Sequence, residues 1–329
     1  MIISKTPFRI SFAGGGTDLK AFYGKEYGCV TSTAINKYMY IAVHKYFDKK
    51  KILLKYSKTE FVDSVEKIEH PIFREALRLV GIESGIEITS FADIPSGTGL
   101  GSSCTFTVGL LHALYAFKGK FVSAERLARE AAHIEINILG EPIGPQDQYA
   151  AAFGNLNHIR FNPDDQVDVT PIICSTETKV QLQKNLLLFY TGITRSTKDV
   201  LSEQKKNTES DSKKFENLQK MKQLAEELRD ALNDNNLSQF GEILHKGWLL
   251  KRELASSITN PEIDQYYEAA LEAGAIGGKL LGAGGGGFLL FYCAEEKKER
   301  IRAALPLEEI PFAFDTQGSK IIYVGDKNE

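Results

Sequence analysis

Three short windows of the sequence set glycine beside residues able to handle phosphate, hydroxyl groups or a metal ion. In the first, Arg9-Ile-Ser-Phe-Ala-Gly14-Gly15-Gly16-Thr17-Asp18, an arginine precedes a glycine turn and an aspartate closes it. A guanidinium fork suits phosphate or carboxylate, whereas a carboxylate suits hydroxyls. The same residues also fit a plain tight turn in which Asp18 caps the next helix. In the second, Ile94-Pro95-Ser96-Gly97-Thr98-Gly99-Leu100-Gly101-Ser102-Ser103 links a predicted strand to a predicted helix. Small residues let the main chain approach a polyanion, successive N–H groups point inward, and the helix start adds partial positive charge. The window lacks the Gly-Lys-Ser/Thr ending of the common P-loop and the spacing of a dinucleotide loop. Ser102 and Ser103 could cap the helix or ligate a metal; a flexible turn with a serine cap is the plainer reading. The third, Gly277-Gly278-Lys279-Leu280-Leu281-Gly282-Ala283-Gly284-Gly285-Gly286-Gly287-Phe288, joins two apolar strands with more glycine than a hairpin needs. That surplus points to close approach of backbone to a ligand or to the other glycine loops. Thirteen of the 28 glycines fall in windows 14–16, 97–101 and 277–287, so their distribution has a backbone cause although their total is ordinary.

Two further carboxylates stand out. On a predicted helix over 124–139, Ala128, Ala131, Glu135 and Ile138 share one face, which would bury Glu135. A buried carboxylate needs a partner, and a neighbouring arginine is one answer. Gly144-Pro145-Gln146-Asp147-Gln148-Tyr149 reads as a loop with an acid between two amides, where Asp147 taken alone would be a cap. His133-Ile-Glu135 has the H-x-E form of a zinc deaminase, but no Pro-Cys-x-x-Cys follows. Cys104, at a helix start, reads as a small packed residue.

The three windows, in this order and at these separations, resemble the GHMP kinases over nearly the whole chain. Within that superfamily the Pro7–Asp18 opening and the Tyr190-Thr191-Gly192-Ile193-Thr194-Arg195-Ser196 segment look most like sugar kinases of the D-glycero-D-manno-heptose 7-phosphate kinase type. The resemblance implies an α+β, two-domain GHMP kinase fold. A ribosomal protein S5 domain 2-like N-terminal domain would cover 1–170 and a ferredoxin-like C-terminal domain 171–329, with the site between them. It implies ATP held by Pro95, Ser96, Gly97, Thr98, Gly99, Leu100, Gly101, Ser102 and Ser103. Mg2+ would sit on Ser103 and Glu135. Asp147 would be the general base or orienter of the acceptor hydroxyl, with Arg9 offsetting charge near the γ-phosphate. Gly16, Thr17, Asp18, Asp147, Gly284 and Gly285 would meet the sugar. A phosphate on the acceptor would fall to Arg195 first, with Lys251 and Arg252 behind it. The implied reaction moves the γ-phosphate of ATP to the anomeric hydroxyl of D-glycero-D-manno-heptose 7-phosphate, giving the 1,7-bisphosphate. A kinase of a free sugar such as fucose or galactose, a non-catalytic sugar and nucleotide sensor, and a decarboxylase sharing the fold are the rival readings.

These residues need elements to position them. Alternation of Phe8, Ile10 and Phe12 against Arg9 and Ser11 predicts a half-buried strand over 8–12, and β-formers predict further strands over 38–46, 51–56 and 86–91. The period then lengthens, predicting helices over 102–117 and 124–139. Strands return over 155–161 and 185–191. From 196 to about 273 the pattern is helical, with the charged stretch 203–222 read as a solvated face. An apolar strand over 288–293, a charged helix over 295–304 and two short terminal strands complete the chain. The least patterned segment, 162–178, is the linker candidate. Strands and helices mixed in both halves indicate two α+β domains.

The 329 residues are 43% hydrophobic and 25% charged, with 40 basic against 43 acidic side chains and a net charge of −3. That length allows two domains with their own cores. Near-neutral charge argues against a nucleic-acid surface. The longest apolar stretch, Val108 to Phe117, is too short for a membrane span, and Lys5 and Arg9 interrupt any secretory signal pattern. Four scattered cysteines suggest neither a disulfide framework nor a zinc site, which fits a reducing cytoplasm. Small-molecule ligands are therefore the expected partners, and nothing in the sequence speaks to oligomeric state.

Overall fold

In the computed structural model, which describes residues 1–193 and 197–325, the alternating N-terminal segment forms β1 (Ile2–Ala13). After the one-turn α1 (Lys20–Tyr23) the chain returns as β2 (Gly28–Lys45), antiparallel to β1 from Ile2 opposite Val43 to Ala13 opposite Thr31. The hairpin β3 (Ile52–Lys55) and β4 (Thr59–Val62) follows, then α2 (Pro71–Val80) and β5 (Ile86–Ala92). β5 lies antiparallel to β2 and parallel to β3. α2 starts on Pro71 and stops at Gly81 in a left-handed cap, both favoured signals. Then come α3 (Ser102–Phe117), α4 (Ala124–Ala132) with a π-helical turn His133–Ile138, α5 (Gln146–Phe153), and the hairpin β6 (Leu156–Phe161) and β7 (Val167–Pro171). α3 is apolar on nearly every side, and it is buried accordingly.

The second half opens with α6 (Thr176–Lys184) and β8 (Leu186–Tyr190), then α7 (Thr197–Ser210), α8 (Ser212–Asn233), α9 (Phe240–Arg252) and α10 (Pro261–Ala273). β9 (Gly277–Leu280), β10 (Phe288–Tyr292), α11 (Lys298–Ala304), β11 (Glu308–Glu309), β12 (Phe314–Asp315) and β13 (Lys320–Val324) complete it. One sheet runs β13-β1-β2-β5-β3-β4, with β6 and β12 also on β2 and β7 outside β6; the other runs β11-β8-β10-β9. One core runs from the large sheet and α2 to α5 on to α8 and α9, and a second surrounds Trp248, Tyr267, Phe189 and Phe291. Phe12 of β1 meets Phe240 of α9 edge to face at 5.2 Å where the halves join.

Several sequence expectations change. The segment 162–178 is not a loose linker, because Val167–Pro171 pairs with β6. The tail holds three short strands, and β12 and β13 pair with β2 and β1, so the sheets do not divide cleanly at 170 and 171. The charged stretch 203–222 is broken at Asp211, which accepts from the backbone N–H groups of Lys213 and Lys214 to start α8. It is also not wholly solvated: Gln204, Asn217 and Lys222 are buried.

Candidate active site

Arg9 and Asp147 form the centre. The β1–β2 register shifts between Pro7 and Arg9, the kind of irregularity that re-aims a strand side chain. Arg9 Nε donates to Asp147 Oδ1 at 2.8 Å, Nη2 to Oδ2 at 2.7 Å, and Nη1 to the Gly99 carbonyl at 2.7 Å. Arg9 is 3% exposed, so the fork is held in one orientation. Asp147 is not in a loop as the sequence suggested: it lies in the first turn of α5, just after Pro145. A carboxylate is favoured there by the unpaired N–H groups of the helix start.

The second glycine window wraps the N-terminus of α3. Gly97, Gly99, Gly101, Ser102 and Ser103 line a cavity with Arg9, Glu135 and Asp147. Not every residue of the window faces it. Thr98 and Leu100 are buried; the Thr98 hydroxyl donates to the Pro95 carbonyl at 2.9 Å, while Pro95 and Ser96 are exposed. The third window explains its surplus glycine here. A Cβ on Gly282 would lie 2.3 Å from Gly99 Cα, and one on Gly287 would lie 2.2 Å from the Thr98 carbonyl oxygen. The loop between β9 and β10 thus packs backbone to backbone against the second window.

Glu135 is 1% exposed, as its position on the helix predicted. Its partner is not an arginine. Ser103 Oγ donates to Oε1 at 2.6 Å and Gln148 Nε2 donates to Oε2 at 2.8 Å, while burial pushes the carboxyl pKa up. The predicted face fails at Ile138, which is 45% exposed, because residues 133–138 adopt the wider π turn and the α-helical period no longer applies. Among the described residues no three acidic, histidine or cysteine side chains form a metal-holding group.

A second, adjoining cavity opens on the other side of Arg9 and Asp147, lined by Gly16, Asp18, Gln204, Lys251, Gly282 and Ala283. Asp18 is 2% exposed; burial, reinforced by Asp147, raises its pKa to about 6 despite the Gly16 N–H donating to Oδ1 at 3.0 Å. Lys251 donates to the Gly282 carbonyl, and burial, with Arg9 nearby, lowers its pKa to about 8. Lys279 donates to the Ser11 and Phe12 carbonyls at 2.9 and 3.0 Å, pinning β9 to β1. Thr17 does not reach the cavity. Its hydroxyl is buried, donating to the Gly14 and Cys29 carbonyls at 2.8 and 2.9 Å. Gly284 and Gly285 also miss it: the Gly285 N–H donates to the Ile258 carbonyl at 2.8 Å, and Gly282 and Ala283 line the wall instead. Arg252 turns to Asp264 at 3.3 Å, and Arg195 lies outside the described residues. Gln204 and Lys279 escaped the sequence reading. A lysine inside an apolar, glycine-rich strand was a usable signal for Lys279; Gln204 sits in a polar run with none.

The arrangement is therefore two cavities sharing an arginine–aspartate pair, one lined by the glycines and serines at the start of α3 and one by Asp18, Gln204 and Lys251. Comparison with known proteins gives this arrangement a context. Residues 39–155 match the model for the GHMP kinases N terminal domain and residues 221–309 that for the GHMP kinases C terminal. The chain is 31% identical to a D-glycero-alpha-D-manno-heptose 7-phosphate kinase of Campylobacter jejuni, over 97% of this chain and 98% of that protein. It is 26% identical to a galactokinase of Pyrococcus furiosus over 86% of each. A crystal structure described as a D-glycero-D-manno-heptose 1-phosphate kinase from Bacteriodes thetaiotaomicron superposes with a TM-score of 0.81 and 26% identity, covering 99% of this chain and 100% of that one.

Proposed function

The chain belongs to the GHMP kinase family and is an ATP-dependent sugar kinase, and from that premise we propose that its acceptor is the anomeric hydroxyl of D-glycero-D-manno-heptose 7-phosphate, with the 1,7-bisphosphate as product. The observation that carries this reading is the bidentate Arg9–Asp147 pair on the wall shared by two cavities. The cavity lined by Gly97, Gly99, Gly101, Ser102 and Ser103 is suited to the ATP phosphates, with the start of α3 beneath them. The adjoining cavity is suited to a hydroxylated acceptor at Asp18, and Lys251 is the cation it offers a phosphate on that acceptor.

In this reading the anomeric oxygen forms a bond to the γ-phosphorus while the bond from that phosphorus to the β,γ-bridging oxygen breaks and ADP departs. Asp147 accepts a hydrogen bond from the acceptor hydroxyl and takes its proton as the transition state makes the hydroxyl acidic. Arg9 occupies both Asp147 oxygens, so it fixes the direction of that hydrogen bond and adds positive charge where the γ-phosphate would lie. Ser103 and Glu135 fit Mg2+: they supply hard oxygen donors, and Glu135 is a buried carboxylate with no cationic side chain on it among the described residues. When bound there, the ion would neutralise phosphate charge.

The test is an ADP-release panel of D-glycero-D-manno-heptose 7-phosphate, the unphosphorylated heptose, galactose and fucose. The heptose phosphate should give the highest kcat/KM. A free sugar outrunning it would overturn the phosphorylated acceptor, and no ADP release above the blank with any sugar would overturn the kinase reading.

A further inference from the structure

We propose that Gln204 of α7 reads the acceptor: its carboxamide donates to an acceptor oxygen that no other group on that side of the cavity satisfies. The inference rests on the sugar-kinase reading above and deepens it. Gln204 is 2% exposed, its Nε2 has no hydrogen-bond partner among the described residues, and the residue lines the cavity with Arg9, Asp18, Asp147 and Lys251. Leaving a buried amide donor unpaired is costly, and native folds seldom do so without a use for it. The other buried unpartnered side-chain atoms among the described residues belong to His70, Thr105, Gln148 and Trp248, none of which lines this cavity.

The position is also built. Glu203, the preceding residue, accepts from the Ser256 N–H and hydroxyl at 2.8 and 2.9 Å and from the Ser257 hydroxyl at 2.7 Å. Asn207 donates to the Leu254 carbonyl at 2.8 Å, so α7 is tied on both sides of Gln204 to the loop that follows Lys251 and α9. Opposite the amide lies bare backbone, since a Cβ on Gly16 would come within 2.4 Å of Nε2. Two neighbouring donors are engaged on protein oxygens, Ser11 Oγ on Gln146 Oε1 and Lys279 on two β1 carbonyls, while Lys251, held on Gly282, is left for the phosphate. An acceptor lacking the matching oxygen would leave the amide unpaired, and a polar site of this kind discriminates strongly for that reason.

A substitution separates this role from a structural one. Gln204→Leu removes a donor that the ligand-free protein does not use, so its melting temperature should equal or exceed that of the parent. The acceptor KM should rise about 10-fold, the loss of roughly one hydrogen bond, while the KM for ATP stays within about 2-fold. Gln204→Met repeats the test should Leu fail to fold. An unchanged acceptor KM, or a lower melting temperature with both KM values rising together, would overturn the proposal. Heptose 7-phosphate, galactose and fucose are each run with the unmodified chain. If it turns over none of them, the kinase reading fails and takes this inference with it; if it turns one over and the variants match it, this inference fails alone.

Discussion

Arg9, buried, and Asp147, half-buried, hold each other in a bidentate pair, so replacing either disturbs both electrostatics and geometry. Asp147→Asn should reduce kcat by about 1,000-fold or more while ATP affinity, measured by nucleotide titration, changes by no more than about 3-fold. Turnover near the parent value would remove Asp147 from the chemistry. Lys251 gives a pH signature. Its pKa of about 8 means that an anionic acceptor meets a charged ammonium below that pH and a neutral amine above it. Acceptor KM should therefore climb as pH rises through about 8; in Lys251→Met it should already be about 10–100-fold higher and flat across that range. Asp18 shows the opposite economy. Its folded pKa of about 6 exceeds the ordinary 3.8, so between these values the folded chain keeps a proton that the unfolded chain has released. Stability thus falls as pH rises through that window, and the cost is complete above about 6. Asp18→Asn should melt a few degrees higher than the parent at pH 7 and alike at pH 4, by roughly 3 kcal/mol of relieved burial, with a weaker acceptor kcat/KM. Equal melting at pH 7 would contradict the buried charge. Much of this residue set was legible because arginine beside glycine, or a carboxylate on an apolar helix face, is a conspicuous pattern. Thr17 was misread because a hydroxyl gives no sign of which side of the turn it serves. Gln204 was invisible because burial of one amide in a charged helix is decided by what packs across from it.

Elements explain why the glycines cluster. The loop between β9 and β10 meets the window before α3 main chain to main chain at Gly99 and Thr98, and the contact tolerates no side chain at Gly282. Gly282→Ala adds a Cβ 2.3 Å from Gly99 Cα at a φ of +71°, and should cost at least about 2 kcal/mol in urea denaturation and weaken ATP binding. Gly97→Ala is the control: its φ is +76° but nothing lies within 4 Å, so only the left-handed cost of about 1–2 kcal/mol applies. Equal losses would contradict the packing role of the loop contact. The long apolar α3 was readable from composition, and its observed bounds, Ser102–Phe117, match the predicted 102–117. The π turn at His133–Ile138 was not, since no residue type marks where a helix widens; it takes Ile138 off the buried face while Glu135 stays in, against Ser103 and Gln148. The start of α5 reads as a loop in the sequence because Gly144 and Pro145 mask the helix that Pro145 in fact introduces.

At the scale of the molecule, the two halves share the site rather than adjoin it. β1, α3, the π turn and α5 supply Arg9, Ser103, Glu135 and Asp147, while α7, α9 and the β9–β10 loop supply Gln204, Lys251, Gly282 and Ala283. Two α+β units were legible from the mixing of strand and helix signals. The return of β12 and β13 to the first sheet was not, because pairing between chain ends is a long-range choice that local pattern does not encode. No helix among the described residues is long and apolar enough to cross a membrane. The proposed reaction moves the ATP γ-phosphate to the anomeric oxygen of a sugar that already carries a phosphate. Phosphorus NMR of a reaction containing the full chain, ATP, Mg2+ and D-glycero-D-manno-heptose 7-phosphate tests it directly. A second sugar phosphate resonance, split by the anomeric proton and growing in step with ADP, is expected, and it should be absent with Asp147→Asn. ADP forming without that resonance, or a new phosphate on any other carbon, would contradict it.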